Sequence, residues 1–402
     1  MRLKDVAILN PKYDGENLDT ELVSFSPMEC LRYDNLRPYT IPFKDAKGKY
    51  TYFANNDVLF AKVTPCFENL NTAIASNLLN GIGFGSSEIN VLRFSDKCYT
   101  RYFFYLICSR QFIDKGCASM SGVGGLKRIN PLVVTTFEFE LPPRLEQEAI
   151  ADYLDKECDK ITREIDLLER KVDCYIRLRR SIINRAVTRG LNSTIQLKSS
   201  GLRWIPYIPI HWEIKRIRNF FKYRNEKVSE VDFAPLSVTK NGVIPQMESV
   251  AKSLAEGETR KKVCKYDFVV NSRSDRKGSC GTSPLDGSVS SIYIVLEPQN
   301  ISPDFANYYF RCNDWIEEFY RNGKGIVADL WTTNYATMRN IEIAIPPIKE
   351  QQEIAIYLDE KCAKIDTIIE KTKLKIERLK ELKCSLINDV VTGQRTIKTS
   401  DL

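Results

Sequence analysis

From Ala151 onward the core positions return at alternating steps of three and four: Ala151, Leu154, Cys158, Ile161, Ile165, Leu168, Val172, Tyr175, Arg179, Ile182 and Ala186, with Arg179 the one charged interruption. A second run does the same through Ala355, Leu358, Cys362, Ile365, Ile369, Thr372, Ile376, Leu379, Lys383, Leu386 and Val390. A spacing that averages 3.5 residues over about five heptads predicts a coiled-coil seam rather than a solitary amphipathic helix. Each run follows a Pro-Pro pair, which disfavours helix before it and tolerates one starting just after it, and glutamates fall in the first turn where the helix dipole favours them.

The two runs are copies. Laid over each other at a period of 204 residues without a gap, positions 141–190 and 345–394 share 20 identities in 50, among them Tyr153-Leu154-Asp155 with Tyr357-Leu358-Asp359. The chain is therefore a duplication. Both helices are acidic early (Glu146, Asp152, Asp155; Glu350, Glu353, Asp359) and basic late (Arg177, Arg180, Arg185; Lys375, Arg378, Lys380). Antiparallel pairing within one chain, the expected arrangement, sets each acidic start beside the other's basic end, whereas parallel pairing stacks like on like; the alternative is that each gradient only complements its own helix dipole.

Ahead of each helix lies a globule of about 140 residues with strand-like runs and Gly-rich turns. Strands are expected at 50–62, 81–94, 265–271 and 289–296, and short helices at 102–108 and 305–312. Asn56-Asp57-Val58-Leu59-Phe60 and Tyr266-Asp267-Phe268-Val269-Val270 read as counterparts, but little else in the globules aligns. The expected architecture is α+β: two mixed α/β domains separated by a long antiparallel two-helix coiled coil, related by a pseudo-twofold. The boundaries drawn are 1–140 for the first globule, 141–189 for the first helix, 190–213 for a Gly/Ser/Pro-rich linker, 214–344 for the second globule, 345–394 for the second helix and 395–402 for a tail.

Composition narrows the function. The chain has 402 residues and a formal charge of +7, and its 43% hydrophobic content is that of a folded globular protein. No apolar run approaches the length of a membrane span, and charge enters at Arg2 and Lys4, so a cytoplasmic protein is expected. Twelve cysteines without a Cys-x-x-Cys pair fit a reducing compartment and no zinc ribbon. Cys158 and Cys362 occupy the same seam position and read as small core residues. His211 is the only histidine, so a His-rich metal site is excluded, and it reads as a capping or packing residue. Gly122-Val123-Gly124-Gly125-Leu126-Lys127-Arg128 has the glycines of a phosphate loop but neither its spacing nor a hydroxyl after the lysine. Neither Asn10-Pro11-Lys12 nor Asn130-Pro131-Leu132 fits the amino-methyltransferase turn, and no carboxylate cluster suits a magnesium nuclease.

Two different heads on a helical rod suit a long ligand with a split site, and duplex DNA is such a ligand. Leu141-Pro142-Pro143 followed by Glu146-Gln147, Ile150-Ala151 and Tyr153-Leu154-Asp155, repeated from Ile345, resembles the conserved regions of the specificity subunit of type I restriction-modification systems. Trp204-Ile205, Ile208-Pro209 and His211-Trp212-Glu213 resemble the segment before that family's second target recognition domain, and Asp57-Val58-Leu59-Phe60 with 81–86 the interior of such a domain. Nothing like 201–213 precedes Arg2-Leu3-Lys4, which corresponds to Arg216-Ile217-Arg218, so the chain reads as a short-headed member or one with a trimmed start.

The resemblance implies a non-catalytic DNA reader without a cofactor of its own. Each domain would read half of a bipartite target, and the helices would hold the spacing and dock two methyltransferase subunits. Those subunits would use S-adenosylmethionine, and restriction/translocase subunits would use ATP and magnesium. Glu146, Gln147, Tyr153 and Asp155, with Glu350, Gln351, Tyr357 and Asp359, are the candidate partner-facing residues. DNA contacts are sought in loops that combine basic residues, small hydroxyls and glycines: Lys62 and Thr64; Lys127 and Arg128; Arg273, Ser274, Arg276 and Lys277; and Lys324. Two other readings stay open: a coiled-coil scaffold with protein-binding heads, and a self-sufficient nuclease or methyltransferase.

Overall fold

The structure is a computed structural model that describes residues 1–15, 21–123, 125–246, 259–324 and 332–397. It divides into two compact units, Met1–Glu169 with Lys373–Leu402, and Arg170–Thr372. Each unit holds one globule and about half of each long helix.

The first globule is built from β1 (Ala7–Leu9), β2 (Leu22–Ser26), β3 (Tyr39–Pro42), β4 (Thr51–Ala54), β5 (Val58–Ala61), β6 (Thr72–Ile74), β7 (Ile82–Gly85) and β8 (Ile89–Phe94), followed by α1 (Thr100–Ile107), α2 (Arg110–Ala118) and α3 (Pro131–Thr135). One antiparallel sheet has the order β1-β8-β5-β6, and a second has the order β3-β2-β7-β4 with β2 and β7 parallel. The expected strand 50–62 is thus two strands, β4 and β5, broken at Asn56, whose φ of 71° turns the chain. The stretch 81–94 likewise divides into β7 and β8. Strict alternation is hidden because β5 is buried at all four positions, so no polar residue marks an outer face.

After α4 (Arg144–Arg189) the second globule repeats this plan with β9 (Leu197–Leu202), β10 (Ile205–Pro209), β11 (Glu213–Arg216), β12 (Phe221–Arg224), β13 (Leu236–Thr239), β14 (Gly242–Pro245), β15 (Arg260–Val263), β16 (Phe268–Val270), β17 (Cys280–Thr282), β18 (Gly287–Ser290) and β19 (Ile294–Pro298). Then come α5 (Pro303–Tyr309), α6 (Asn313–Arg321), α7 (Tyr335–Met338), β20 (Glu342–Ile345) and α8 (Ile348–Val391). Its main sheet, β12-β19-β16-β17, has the connectivity of β1-β8-β5-β6. The registers coincide: the rung Leu9–Leu92–Val58–Ile74 corresponds to Tyr223–Leu296–Phe268–Thr282. Sequence comparison saw one matching pentapeptide, whereas the backbone matches throughout this sheet. The 3-10 turns Leu3–Asp5 and Ile217–Asn219 are also equivalent, as the alignment of Arg2-Leu3-Lys4 with Arg216-Ile217-Arg218 requires.

The matching pentapeptides place one buried carboxylate in each main sheet. Asp57 is 2% exposed and receives the Arg93 guanidinium through two hydrogen bonds, 2.9 and 2.7 Å, plus the amide of Ala54 at 2.7 Å. Asp267 is 1% exposed and is held by Arg224 at 2.7 and 3.3 Å and by the amide of Cys264 at 2.8 Å. The arginines come from different strands: Arg93 lies on β8, Arg224 on β12. By register Arg93 corresponds to Glu297, which itself lies 3.2 Å from Arg224. A charge this deep needs its partner, and each sheet supplies one.

The long helices start directly after the Pro-Pro pairs, at Arg144 and Ile348. Every seam position named above is buried or half-buried, with Cys158 and Cys362 each 4% exposed. Within the first unit Lys383 reaches Thr162 at 2.9 Å and Lys375 reaches Glu164 at 2.7 Å, so one helix descends as the other rises. Within the second unit Arg179 pairs with Asp366 at 3.0 Å, and Ala186 and Val187 share a core with Ile354 and Leu358. In both units the pairing is antiparallel and within the chain.

The stretch expected as a linker is instead the hairpin β9-β10, whose Ile205, Ile208 and Trp212 are buried in the second unit's core. His211 lies 2.7 Å from Glu350, and the Trp212 indole donates to the same carboxylate at 3.2 Å. This is a packing role, and it ties the hairpin to the start of α8.

Candidate nucleic-acid interface

Lys62 and Thr64 leave the end of β5, and 119–128 leaves the end of α2, some 60 residues later. The structure brings them together. Lys62 accepts the amide of Ile129 at 2.9 Å, Thr64 donates its amide to Lys127 at 2.9 Å, and Arg128 and Ser121 exchange backbone hydrogen bonds at 2.9 and 3.1 Å. The Thr64 hydroxyl donates to the Gly125 carbonyl at 2.8 Å and accepts the Lys127 amide at 3.0 Å. That hydroxyl closes the loop, a task composition did not reveal. Lys127 and Arg128 are exposed at the junction, and Lys62 is half-buried.

The second head builds the same junction. Ser272 accepts the amide of Thr333 at 3.2 Å, Arg273 bridges to Thr332, and Thr332 exchanges hydrogen bonds with Lys324 at 3.1 Å. Position for position, the bridges Val63–Arg128 and Ser121–Arg128 become Arg273–Thr332 and Lys324–Thr332. Tyr320 supports the loop from below by donating to the Asn271 carbonyl at 2.9 Å. Arg273, Arg276, Lys277 and Lys324 are exposed. Lys277 is ion-paired with Glu317 at 2.7 Å and lines a groove of about 1110 Å³ together with Arg179, Arg180, Lys240 and Arg311. Gly124, Gly325 and the side chain of Ser274 lie outside the described residues.

Each junction carries an arginine engaged by a carboxylate. Arg128 donates through Nε and Nη2 to the two oxygens of Glu88, both at 2.8 Å. These bonds hold the Glu88 carboxyl below its ordinary range against an opposing desolvation effect. Arg273 donates through Nε to Asp275 at 3.0 Å, and Arg276 approaches the other Asp275 oxygen at 3.6 Å. Glu88 was missed by sequence reasoning because it lies in a β-turn 40 residues from its arginine and nothing local pairs them.

The motif residues expected to face partners are largely occupied at home. Gln147 and Gln351 are 1% and 2% exposed. Gln147 accepts the Tyr99 amide at 2.8 Å and donates to the Pro142 carbonyl at 2.9 Å; Gln351 does the same with Ser302 and Pro346 at the same distances. Both ends of each amide are used, which corrects the expectation of a partner contact there. Asp155 receives the Tyr105 hydroxyl at 2.5 Å and Arg101 at 2.7 Å, and Asp359 receives the Tyr308 hydroxyl at 2.7 Å. Tyr153 is buried, Tyr357 is half-buried, and Glu350 serves the hairpin as described. Glu146 is exposed.

The family model for the type I restriction modification DNA specificity domain matches residues 2–170 and again 209–378. The chain belongs to this family. The specificity subunit of the type I restriction enzyme EcoAI from Escherichia coli is 40% identical over 152 residues, which is 37% of this chain and 26% of that protein. The EcoEI specificity subunit from the same species is 32% identical over 169 residues, 40% of this chain and 28% of that protein. The chain therefore spans about a quarter of the length of these relatives. Among solved structures, a chain from work described as the structural basis of complex assembly and conformational transition of the type I R-M system has a TM-score of 0.75 at 14% identity, covering 98% of this chain and 97% of that one. The HsdS subunit from Thermoanaerobacter tengcongensis has a TM-score of 0.55 at 16% identity, with 98% and 96% covered. At these identities the likeness establishes the fold. Among the described residues no helix is long and apolar enough to cross a membrane.

Proposed function

We propose that this chain is the DNA-specificity subunit of a type I restriction-modification complex, non-catalytic and cytoplasmic, with each globule reading one half of a bipartite duplex target. The observation that carries this reading is the loop junction built twice, at the same place on the same sheet, and furnished in each head with exposed lysine and arginine. Lys62, Lys127 and Arg128 serve the first half-site; Arg273, Arg276, Lys277 and Lys324 serve the second. The globules 1–140 and 214–344 act as target recognition domains, and the paired helices 141–189 and 345–394 set the spacing and dock two methyltransferase subunits. S-adenosylmethionine belongs to those partners, and ATP and magnesium to the restriction/translocase subunits.

The test is the methylated motif in host DNA, read by polymerase kinetics in strains with and without this chain. A bipartite motif that disappears on deletion supports the reading. Exchange of residues 1–140 for another family member's first globule is expected to change one half of the motif only. A change in both halves together, or a methylome indifferent to the chain, refutes it; so does sequence-independent binding of the complex to DNA, which fits a protein-binding scaffold.

A further inference from the structure

We propose that Arg128 and Arg273 each read the guanine of one G·C pair in the major groove, one in each half of the target, and that Glu88 and Asp275 determine specificity by fixing those guanidinium groups. This inference rests on the DNA-reading function proposed above and adds the base and the residues that select it.

A guanidinium carries five N–H donors in a planar fork. Glu88 takes the Nε donor and one Nη2 donor of Arg128 through two parallel bonds of 2.8 Å. Three donors remain, on Nη1 and Nη2, and two of them at the end of the fork match the O6 and N7 acceptors side by side on guanine. Adenine presents a donor beside N7 and cytosine presents a donor, so an end-on fork is mismatched against both. In the second head Asp275 engages Arg273 by Nε at 3.0 Å, a bond in which the Nη pair takes no part. In the first head the backbone that carries the carboxylate is placed independently of the arginine: the Glu88 amide donates to the Ser86 hydroxyl at 3.2 Å, and its carbonyl accepts the Lys62 amide at 2.9 Å. A guanidinium gripped along its Nε edge surrenders rotamer freedom before DNA arrives and is aimed, which a loose phosphate contact does not require. Both heads set a carboxylate against the Nε of a junction arginine, by two bonds from Glu88 in the first and by one bond from Asp275, which Arg276 also approaches at 3.6 Å, in the second; the arginine sits on the third strand of the junction in one and on the first in the other. In each head the Nη end of the fork is left to face a ligand, which is what a base reader needs.

The complete complex, with its methyltransferase subunits, is expressed carrying Arg128→Lys, Arg273→Lys, Glu88→Gln or Glu88→Ala, and host DNA is sequenced for methylation. The wild-type motif should contain a specified G·C pair in each half. Arg128→Lys keeps the charge and removes the fork, so discrimination at one G·C pair should fall by about 5- to 150-fold, with the other half untouched. Arg273→Lys should do the same to a pair in the opposite half. Glu88→Ala should relax the same pair as Arg128→Lys, with Glu88→Gln between it and the wild type because one hydrogen bond survives. Unchanged melting of each variant shows that the loop stays folded. A half-site without any specified G·C pair overturns the proposal. So does an Arg128→Lys variant that weakens methylation of all sequences alike, the mark of a phosphate contact, and so does a Glu88→Ala variant of wild-type specificity. A motif that is not bipartite, or that survives deletion of the chain, counts instead against the underlying function.

Discussion

Gln351 offers a severe test of how a head is fastened to its helix. Replacing it by alanine removes the acceptor of the Ser302 amide and the donor to the Pro346 carbonyl, both of them buried. A buried backbone group stripped of its partner costs about 1–3 kcal/mol, so two cost roughly 2–6 kcal/mol. For the second unit, about 200 residues long, each kcal/mol lowers the melting temperature by about 2–4 °C, so a drop of roughly 4–24 °C is expected. Gln352 is the internal control: it is exposed, and its replacement by alanine should change stability by no more than about 0.5 kcal/mol. Thermal unfolding by circular dichroism gives the magnitude, and hydrogen exchange should locate the loss at the start of α5, which the Ser302 amide precedes. Gln351→Glu sharpens the test, since the carboxylate still accepts from Ser302 but faces the Pro346 carbonyl oxygen. Burial against that oxygen raises the new carboxyl's pKa in the folded state, so the variant should regain stability as the pH falls and the protonated form donates. If Gln351→Ala melted within 1 °C of Gln352→Ala, the amide would not be fastening the head.

Asp267→Ala leaves Arg224 without its principal partner, and because Glu297 stays 3.2 Å away the loss should be about 3 kcal/mol, at the low end for a broken buried pair; hydrogen exchange should speed up in β16 and leave β5 unchanged. The Glu88 pKa is depressed, so the Arg128 contact contributes above the ordinary glutamate range and is lost only as pH falls through the lowered value. An NMR titration of the Glu88 carboxyl should therefore have its midpoint below 4.5, returning toward it in Arg128→Ala. Seven residues inserted after Leu168 and after Thr372 keep the seam in register and add about 10.5 Å of helix, or roughly 3 base pairs of spacer, whereas four residues turn the seam away. The methylated motif should keep its half-sites with a longer spacer in the first case, and an unchanged spacer in an active variant refutes the role of the helices in spacing.

The helices were legible because their information is local and periodic: a 3.5-residue seam and a Pro-Pro start need no knowledge of distant residues. The strands were legible as apolar runs but not as hairpins, since at Asn56 a single left-handed asparagine makes the turn and the runs on either side look continuous. The Ser-Ser-Gly and proline residues of 188–209 suggested a linker, while the anchor of that hairpin, Glu350, lies 139 residues from His211. Each loop of the interface stood out by composition, but their meeting depends on bridges such as Val63–Arg128 that no window in the sequence contains. The family resemblance suggested an external partner for Gln147 and Gln351; the task the structure gives both is internal, holding the residue that precedes the same helix in each head, Tyr99 before α1 and Ser302 before α5.

The relocation of the arginines has a consequence for how kinship among such heads is measured. Compared column by column, Arg93 stands opposite Glu297 and Arg128 opposite Thr332, two apparent losses of positive charge. Compared by place, neither charge has gone anywhere: Arg224 fills the void beside the buried carboxylate from the adjoining strand, and Arg273 stands in the junction on the facing one. On this scaffold a neighbouring strand can supply the charge that fills a given point in space. Aligned residues therefore understate the likeness of the two globules, which their charges, compared by place, retain.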